Sequence, residues 1–320
     1  MAKKQKRSAA SNSLRLKLPA TSANLGPAFD AAGLALDMFL SLEAKTAGDF
    51  TIAASGIDAH ICGRVENHLI LTTYREVLEA EAKPIQPLSL RIQNEIPIGK
   101  GCGSSAAARL AGIALASHFG KLGWSDARVI AEASQREHHP DNAAACWMGG
   151  LTVARMTSAS EVSFASVAPR QKWPLLVAIP AEMLSTEEAR QVLPEQYSRA
   201  DAVANIQNAM LLLAAFVQGK PLLLTSALHD RIHEPYRAAL CPLLPVLQEL
   251  AGESGVLGAV LSGAGPSVLV FMDPKSSAKR TKAIVEHHLL RKGLSAELIE
   301  AQITTKGGAQ SGNWKAGWLR

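Results

Sequence analysis

The run Pro97-Ile98-Gly99-Lys100-Gly101-Cys102-Gly103-Ser104-Ser105-Ala106-Ala107 carries three glycines at alternate positions, directly before a stretch rich in alanine and leucine. Glycine lets the backbone turn tightly and approach a ligand closely. The alanine-rich stretch predicts a helix, and a helix's first turn has N–H groups without intrahelical partners and a partial positive charge. Together these make an anion site, and phosphate is the usual anion in such a place. Ser104 and Ser105 add hydroxyls, one to cap the helix and one to ligate Mg²⁺. This is not a Walker A loop, because Gly99-Lys100 is followed by Gly101 and not by Ser or Thr. The glycines alone also fit a tight strand-to-helix turn. Lys100 could reach a phosphate, but we expect it to be solvated.

Four further segments carry polar groups among small or apolar neighbours. In the first, which runs from Pro19 to Asp30, Asn24 and Asp30 stand out, as ligand contacts or as an Asx turn and a cap. In the second, His138, His139, Asp141 and Asn142 follow a predicted helix that holds Glu132 and Glu137. Such residues can ligate a transition metal, yet the spacing fits no zinc pattern. A hard cation with carboxylate and hydroxyl ligands suits a phosphate site better. In the third, His229 and His233 lie four apart without the HExxH pattern, which favours surface or substrate contact over metal. The fourth, Leu261-Ser262-Gly263-Ala264-Gly265-Pro266-Ser267, joins two predicted strands as a close-approach loop or a plain hairpin turn.

The elements that must position these groups follow from apolar periodicity. Strands are expected over 14–18, where Pro19 ends the run, and over 34–43, 88–96, 151–154, 175–179, 256–262, 267–271 and 296–301. Helices are expected over 67–83, 104–119, 125–136, 186–193, 200–218, 242–251 and 276–292, with Ser125 or Asp126 near the cap of the third. Strands and helices mix without strict alternation, which indicates an α+β architecture. The pattern weakens between Thr157 and Trp173, where a domain border is expected. We divide the chain into a disordered basic tail (1–12), an N-terminal domain (13–165), a C-terminal domain (166–303) and a C-terminal tail (304–320). Whether Trp314 and Trp318 dock on the body stays open.

The 320 residues suffice for two domains, and 48% apolar with 19% charged residues is ordinary for a globular protein. The net charge is +5, but Lys3, Lys4, Lys6 and Arg7 carry most of it. The rest is nearly neutral, which argues against a nucleic-acid surface. The basic start is followed by Ser and Ala, so no signal peptide is expected. No run of ~18 uninterrupted apolar residues appears, so no membrane span is expected. Cys62, Cys102, Cys146 and Cys241 form no CxxC pair, and reduced thiols in a cytoplasmic protein are the expectation.

Taken together, PATSANLGPAFD, PIGKGCGSSAA and LSGAGPSVLVF resemble the three ordered motifs of the GHMP kinase superfamily. HPDN, LSTEEARQVLP and HDRIHEPYR bring the resemblance closer to its homoserine kinases, and it covers about 14–301. It implies the GHMP kinase fold: an N-terminal domain like the second domain of ribosomal protein S5, packed on a ferredoxin-like C-terminal domain. It implies ATP and Mg²⁺ as cofactors, L-homoserine as substrate, and a possible homodimer. By the same resemblance Gly99, Gly101, Gly103, Ser104 and Ser105 would wrap the ATP phosphates, and Ser105 would face Mg²⁺. Asn24, Asp30 and Asp141 would contact the amino acid, and Arg190 and Arg237 would hold its carboxylate. Glu137 would be the acidic metal ligand, with Glu132 as its rival. Three positions depart from the family pattern. Cys102 replaces a leucine and suggests a thiol-sensitive loop, Asn142-Ala143-Ala144-Ala145 lacks a proline, and His138 replaces a glycine.

Overall fold

The computed structural model describes residues 13–158 and 161–315. The expected basic tail and Trp318 lie outside them. In chain order the elements begin with β1 (Ser13–Ala23), β2 (Ala32–Thr46), β3 (Thr51–Gly56), α1 (Ala59–Cys62), α2 (Leu69–Ala80) and β4 (Leu88–Asn94). There follow α3 (Ser104–Phe119), α4 (Asp126–Glu137), α5 (Asp141–Met148), β5 (Leu151–Ser158), β6 (Glu161–Val167) and β7 (Leu175–Ile179). The second half holds α6 (Thr186–Gln191), α7 (Arg199–Gln218), α8 (Pro221–Ala227), α9 (Glu234–Arg237) and α10 (Leu243–Gln248). It ends with β8 (Val256–Leu261), β9 (Val268–Met272), α11 (Ala278–Arg291) and β10 (Glu297–Ala301).

Two sheets organise the chain. The first runs β3-β4-β2-β5-β6, with β1 pairing antiparallel along β2. The second runs β10-β7-β9-β8 and is antiparallel throughout. Numbered within that unit its order is 4-1-3-2, and helices connect the strands as in a ferredoxin-like fold. The whole is α+β. Residues on the second sheet alternate between two cores, as the two-residue period of a strand dictates. Leu175, Val177, Leu269 and Phe271 face the large core shared with the first sheet. Leu176, Ala178, Val268 and Val270 face α10 and α11. The shared core joins the two sheets.

Several expectations need correction. Pro19 does not end β1; the strand continues to Ala23 through a register shift between Pro19 and Ala20. A missing N–H is tolerated at such a bulge. β3 and β6 escaped the periodicity reading. β6 occupies the stretch where the pattern weakens, and the chain crosses to the second sheet only after Val167. We propose that the domain border lies in that crossover, just beyond 165. The residues after β10 return to the first sheet. Arg15 N donates to Asn313 Oδ1 (2.6 Å), Lys17 N donates to Ser311 Oγ (2.9 Å), and Trp314 packs edge-on against Trp147 at 5.2 Å. Among the described residues one helix, α7, is long and apolar enough to cross a membrane by length and composition. Its buried Asn205 instead ties it to the body, donating to Pro27 O (2.7 Å) and accepting from Arg231 N (3.0 Å).

Candidate active site

The end of β1, the glycine loop and the turn after β8 pack backbone to backbone. Gly99, Gly101 and Gly103 all have positive φ (70°, 78° and 73°), which glycine alone adopts without strain. A Cβ at Gly103 would collide with Thr21 Oγ1, and one at Gly101 with Ser262 O and Gly265 O. Thr21 N donates to Cys102 O (3.0 Å), Ser262 Oγ to Gly101 O (2.8 Å), and Asn24 Nδ2 to Gly263 O (2.7 Å). The three glycine-bearing segments, far apart in the chain, thus lock one another in place. The glycines at 101 and 103 let neighbouring segments come close, and the loop delivers the N-terminus of α3 into a cleft.

Around that N-terminus the side chains converge. Ser105 Oγ donates to Glu137 Oε1 (2.7 Å), and Arg109 Nε donates to the same oxygen (2.6 Å). Glu137 is the last residue of α4, and His138 follows with φ 66°, a left-handed turn that starts the path to α5. Ser125 caps α4, accepting from Arg128 N (3.2 Å). Glu132 does not join the site. It is buried between Arg128 (3.0 Å) and Arg136 (3.2 Å), away from the residues that line the cavity.

A second cluster sits beside the first in the same cavity of about 670 Å³. Asn24 Oδ1 accepts from Asp30 N (2.9 Å), and Asp30 Oδ1 accepts from Arg190 Nη2 (2.7 Å). Asp141 Oδ1 lies 2.6 Å from His139 Nδ1 and accepts from Asn142 N. Asp30, His139 and Asp141 offer ligand atoms within 4.8 Å of one another. Burial disfavours charge on His139, but the hydrogen bond and charge of Asp141, with Asp30 and Glu137, outweigh it and raise the pKa above the usual histidine value. Arg237 is 1% exposed, donates from Nε to Ala189 O (2.9 Å), and lines the cavity with Arg190. Both guanidinium groups lie over the Phe29 ring, at 5.5 Å (Arg190) and 5.3 Å (Arg237). The cavity is also lined by Ile61, Ile70, Ile92, Ile96 and Ile98, together with Arg64, Glu66, Asn67 and His68.

The sequence-derived residues Asn24, Asp30, Ser105, Glu137, Asp141, Arg190 and Arg237 therefore meet in one cavity. Three expectations fail. Neither Ser104 nor Ser105 caps α3, whose N-cap is Gly103 without a side-chain cap bond. Lys100 is not solvated; its Nζ donates to the carbonyls of Pro180 (3.1 Å), Ala181 and Glu182 (2.7 Å), clamping the segment before α6 onto the glycine loop. Cys102 does not make the loop thiol-sensitive. It is buried, and burial pushes its thiol up to about 12, which disfavours the thiolate at neutral pH. The sequence also missed Arg109 as a partner of Glu137. It missed Thr21 as well, whose Oγ1 donates to Asn142 Oδ1 (2.7 Å). Thr21 stood inside a quoted motif, but nothing local pairs it with a residue 121 positions away.

Known proteins are similar to this chain over most of its length. Residues 68–150 match the GHMP kinases N terminal domain, and residues 212–289 the GHMP kinases C terminal domain. A homoserine kinase of Solibacter usitatus is 40% identical over 299 residues, covering 93% of this chain and 97% of that protein. One from a Synechococcus strain is 35% identical over 289 residues, covering 89% and 94%. The crystal structure of a homoserine kinase from Cytophaga hutchinsonii superposes with a TM-score of 0.78 at 22% identity, covering 95% of this chain and 99% of that one. Mevalonate kinase of L. major has the same fold, with a TM-score of 0.69 at 15% identity, covering 92% and 96%.

Proposed function

Because the chain belongs to the homoserine kinases of the GHMP kinase superfamily, we propose that it transfers the γ-phosphoryl group of ATP to the side-chain hydroxyl of L-homoserine. The observation that carries this reading is the pairing of two arginines and two aspartates beside the N-terminus of α3, in one cavity. An amino acid is a zwitterion and needs both signs of charge. Arg190 and Arg237 suit its carboxylate, since the guanidinium fork matches a carboxylate in bidentate geometry. Asp30 and Asp141 suit its ammonium. Arg190 and Asp30 already pair with each other, so a zwitterion between them exchanges one ion pair for two.

The anionic end of ATP belongs at the first turn of α3, where backbone N–H groups and the helix dipole favour phosphate. The five isoleucines of the cavity lining suit the flat face of the base. Ser105 and Glu137 present hard oxygen donors side by side, the set Mg²⁺ prefers, so they are the residues that would hold it. A divalent cation bound there supplies neutralisation of the phosphate charge. Arg109, already on Glu137, adds a second positive charge at that point. Phosphoryl transfer depends on positioning and charge neutralisation more than on covalent chemistry. Asn24, Asp30 and Asp141 orient the acceptor, and none is assigned as a base.

Incubation with MgATP and L-homoserine should yield O-phospho-L-homoserine, seen as a new phosphomonoester signal by ³¹P NMR alongside ADP. ADP formation with inorganic phosphate as the sole second product would count against the proposal.

A further inference from the structure

His233 precedes α9 and is fully buried, four residues before Arg237. Its Nε2 lies 2.9 Å from the carbonyl oxygen of Gly26, which can only accept, so Nε2 carries the proton. Its Nδ1 lies 3.2 Å from Arg237 Nη1, which can only donate, so Nδ1 carries the lone pair. Both neighbours demand the same neutral tautomer. We propose that His233 is a positioning residue, which aims the Arg237 guanidinium at the substrate carboxylate by accepting from Nη1 while anchored on the Gly26 carbonyl. This rests on the reading of Arg237 given above.

The geometry explains why a second anchor is needed. Arg237 Nε donates to Ala189 O, which alone restrains the guanidinium at a single point. A second bond at Nη1 fixes the plane and commits the remaining N–H groups to the cavity. The anchor itself is rigid. Asp230 Oδ2 accepts from the backbone N–H of His233 and of Glu234, both at 2.7 Å. Glu234 Oε1 accepts from Leu261 N (2.7 Å), at the end of β8. The imidazole stacks on Phe29 with centroids 5.1 Å apart, and Phe29 also underlies both arginines. Burial pushes the ring's pKa down to about 4, with Asp230 opposing the shift and Arg237 adding to it. The ring therefore stays neutral at physiological pH, and no second N–H is turned towards Arg237.

The test compares L-homoserine with 3-amino-1-propanol, which keeps the ammonium and hydroxyl but lacks the carboxylate. Arg237→Ala, as a control, should erase the preference for L-homoserine. His233→Phe fills the same space without donor or acceptor. It should lower kcat/KM for L-homoserine by roughly 10- to 100-fold. It should leave 3-amino-1-propanol and the ATP KM within about threefold. His233→Gln, which presents a donor and an acceptor on one amide edge, should restore most of the preference. Should Arg237→Ala erase the preference and His233→Phe keep it, the proposal is overturned. Equal losses for both acceptors in His233→Phe would reduce His233 to a structural residue and also overturn it. A preference that survives Arg237→Ala removes the carboxylate reading and this inference with it. Should His233→Phe fail to fold, ¹⁵N NMR of the unaltered enzyme at pH 7 decides. A neutral ring protonated on Nε2 supports the proposal, and an Nδ1–H tautomer or an imidazolium overturns it.

Discussion

Replacing Arg237 with alanine is expected to raise the KM for L-homoserine by roughly 100- to 1,000-fold, the effect of removing one partner from a buried charge pair. The KM for MgATP should move by less than about threefold, because uniform binding of the other substrate is untouched. The reason lies in how Arg237 is held. It is 1% exposed, and its Nε and Nη1 are committed to Ala189 O and His233 Nδ1. The guanidinium is thus pre-oriented, with Phe29 beneath it. Lysine cannot replace it, since a single ammonium neither fills both anchors nor offers a planar fork. Because a buried side chain is being removed, circular dichroism and the ATP KM serve as controls for folding. Equal rises in the two KM values would show loss of the cleft as a whole and contradict the assigned role.

Replacing Glu137 with glutamine is expected to lower kcat on the order of 10²- to 10³-fold, the usual effect of weakening the hold on a cation that neutralises a transferring phosphoryl group. Glutamine keeps an oxygen that can accept from Ser105 Oγ and Arg109 Nε, so the local fold should survive. What it loses is the negative charge that suits Mg²⁺. The Mg²⁺ concentration for half-maximal rate should therefore rise together with the fall in kcat. Glu132→Gln should have neither effect. Its carboxylate lies between Arg128 and Arg136 and outside the cavity. A severe kcat loss in Glu132→Gln, with normal Mg²⁺ dependence in Glu137→Gln, would reverse the assignment.

Motifs with local causes were readable in the chain. Alternate glycines before an alanine-rich stretch announce a tight loop feeding a helix, and α3 starts at Ser104 as that pattern implies. The start of α4 was visible for the same reason, since Ser125 caps it with its own side chain. Short edge strands were not readable. β3 and β6 lie at the two edges of the first sheet, where β3 buries no residue fully and β6 only Val162, so neither stands out as a core strand. Contacts between distant residues were the least visible. Nothing near Lys100 announces three carbonyls about 80 positions away, and nothing near Thr21 announces Asn142. His233 is the sharpest case. Its spacing from His229 raised surface or substrate contact, while its burial and its bonds to Gly26 and Arg237 exist only in the folded chain. The candidate site was therefore legible as a set of residue types, and its wiring was not.

The central claim is that one cavity joins an ATP cradle to a pocket for an amino-acid alcohol. Its most direct measurement is steady-state ADP release by the purified protein with MgATP and, in turn, L-homoserine, L-threonine, shikimate and mevalonate. The predicted result is a kcat/KM for L-homoserine at least on the order of 10³-fold above the carboxylic acids that lack an ammonium, since those draw Arg190 from Asp30 and bring no cation in its place. L-Threonine, whose hydroxyl sits one carbon closer to the backbone, should fall well below L-homoserine. Turnover of one of the other alcohols with none of L-homoserine, or ATP binding without turnover of any, would contradict the account.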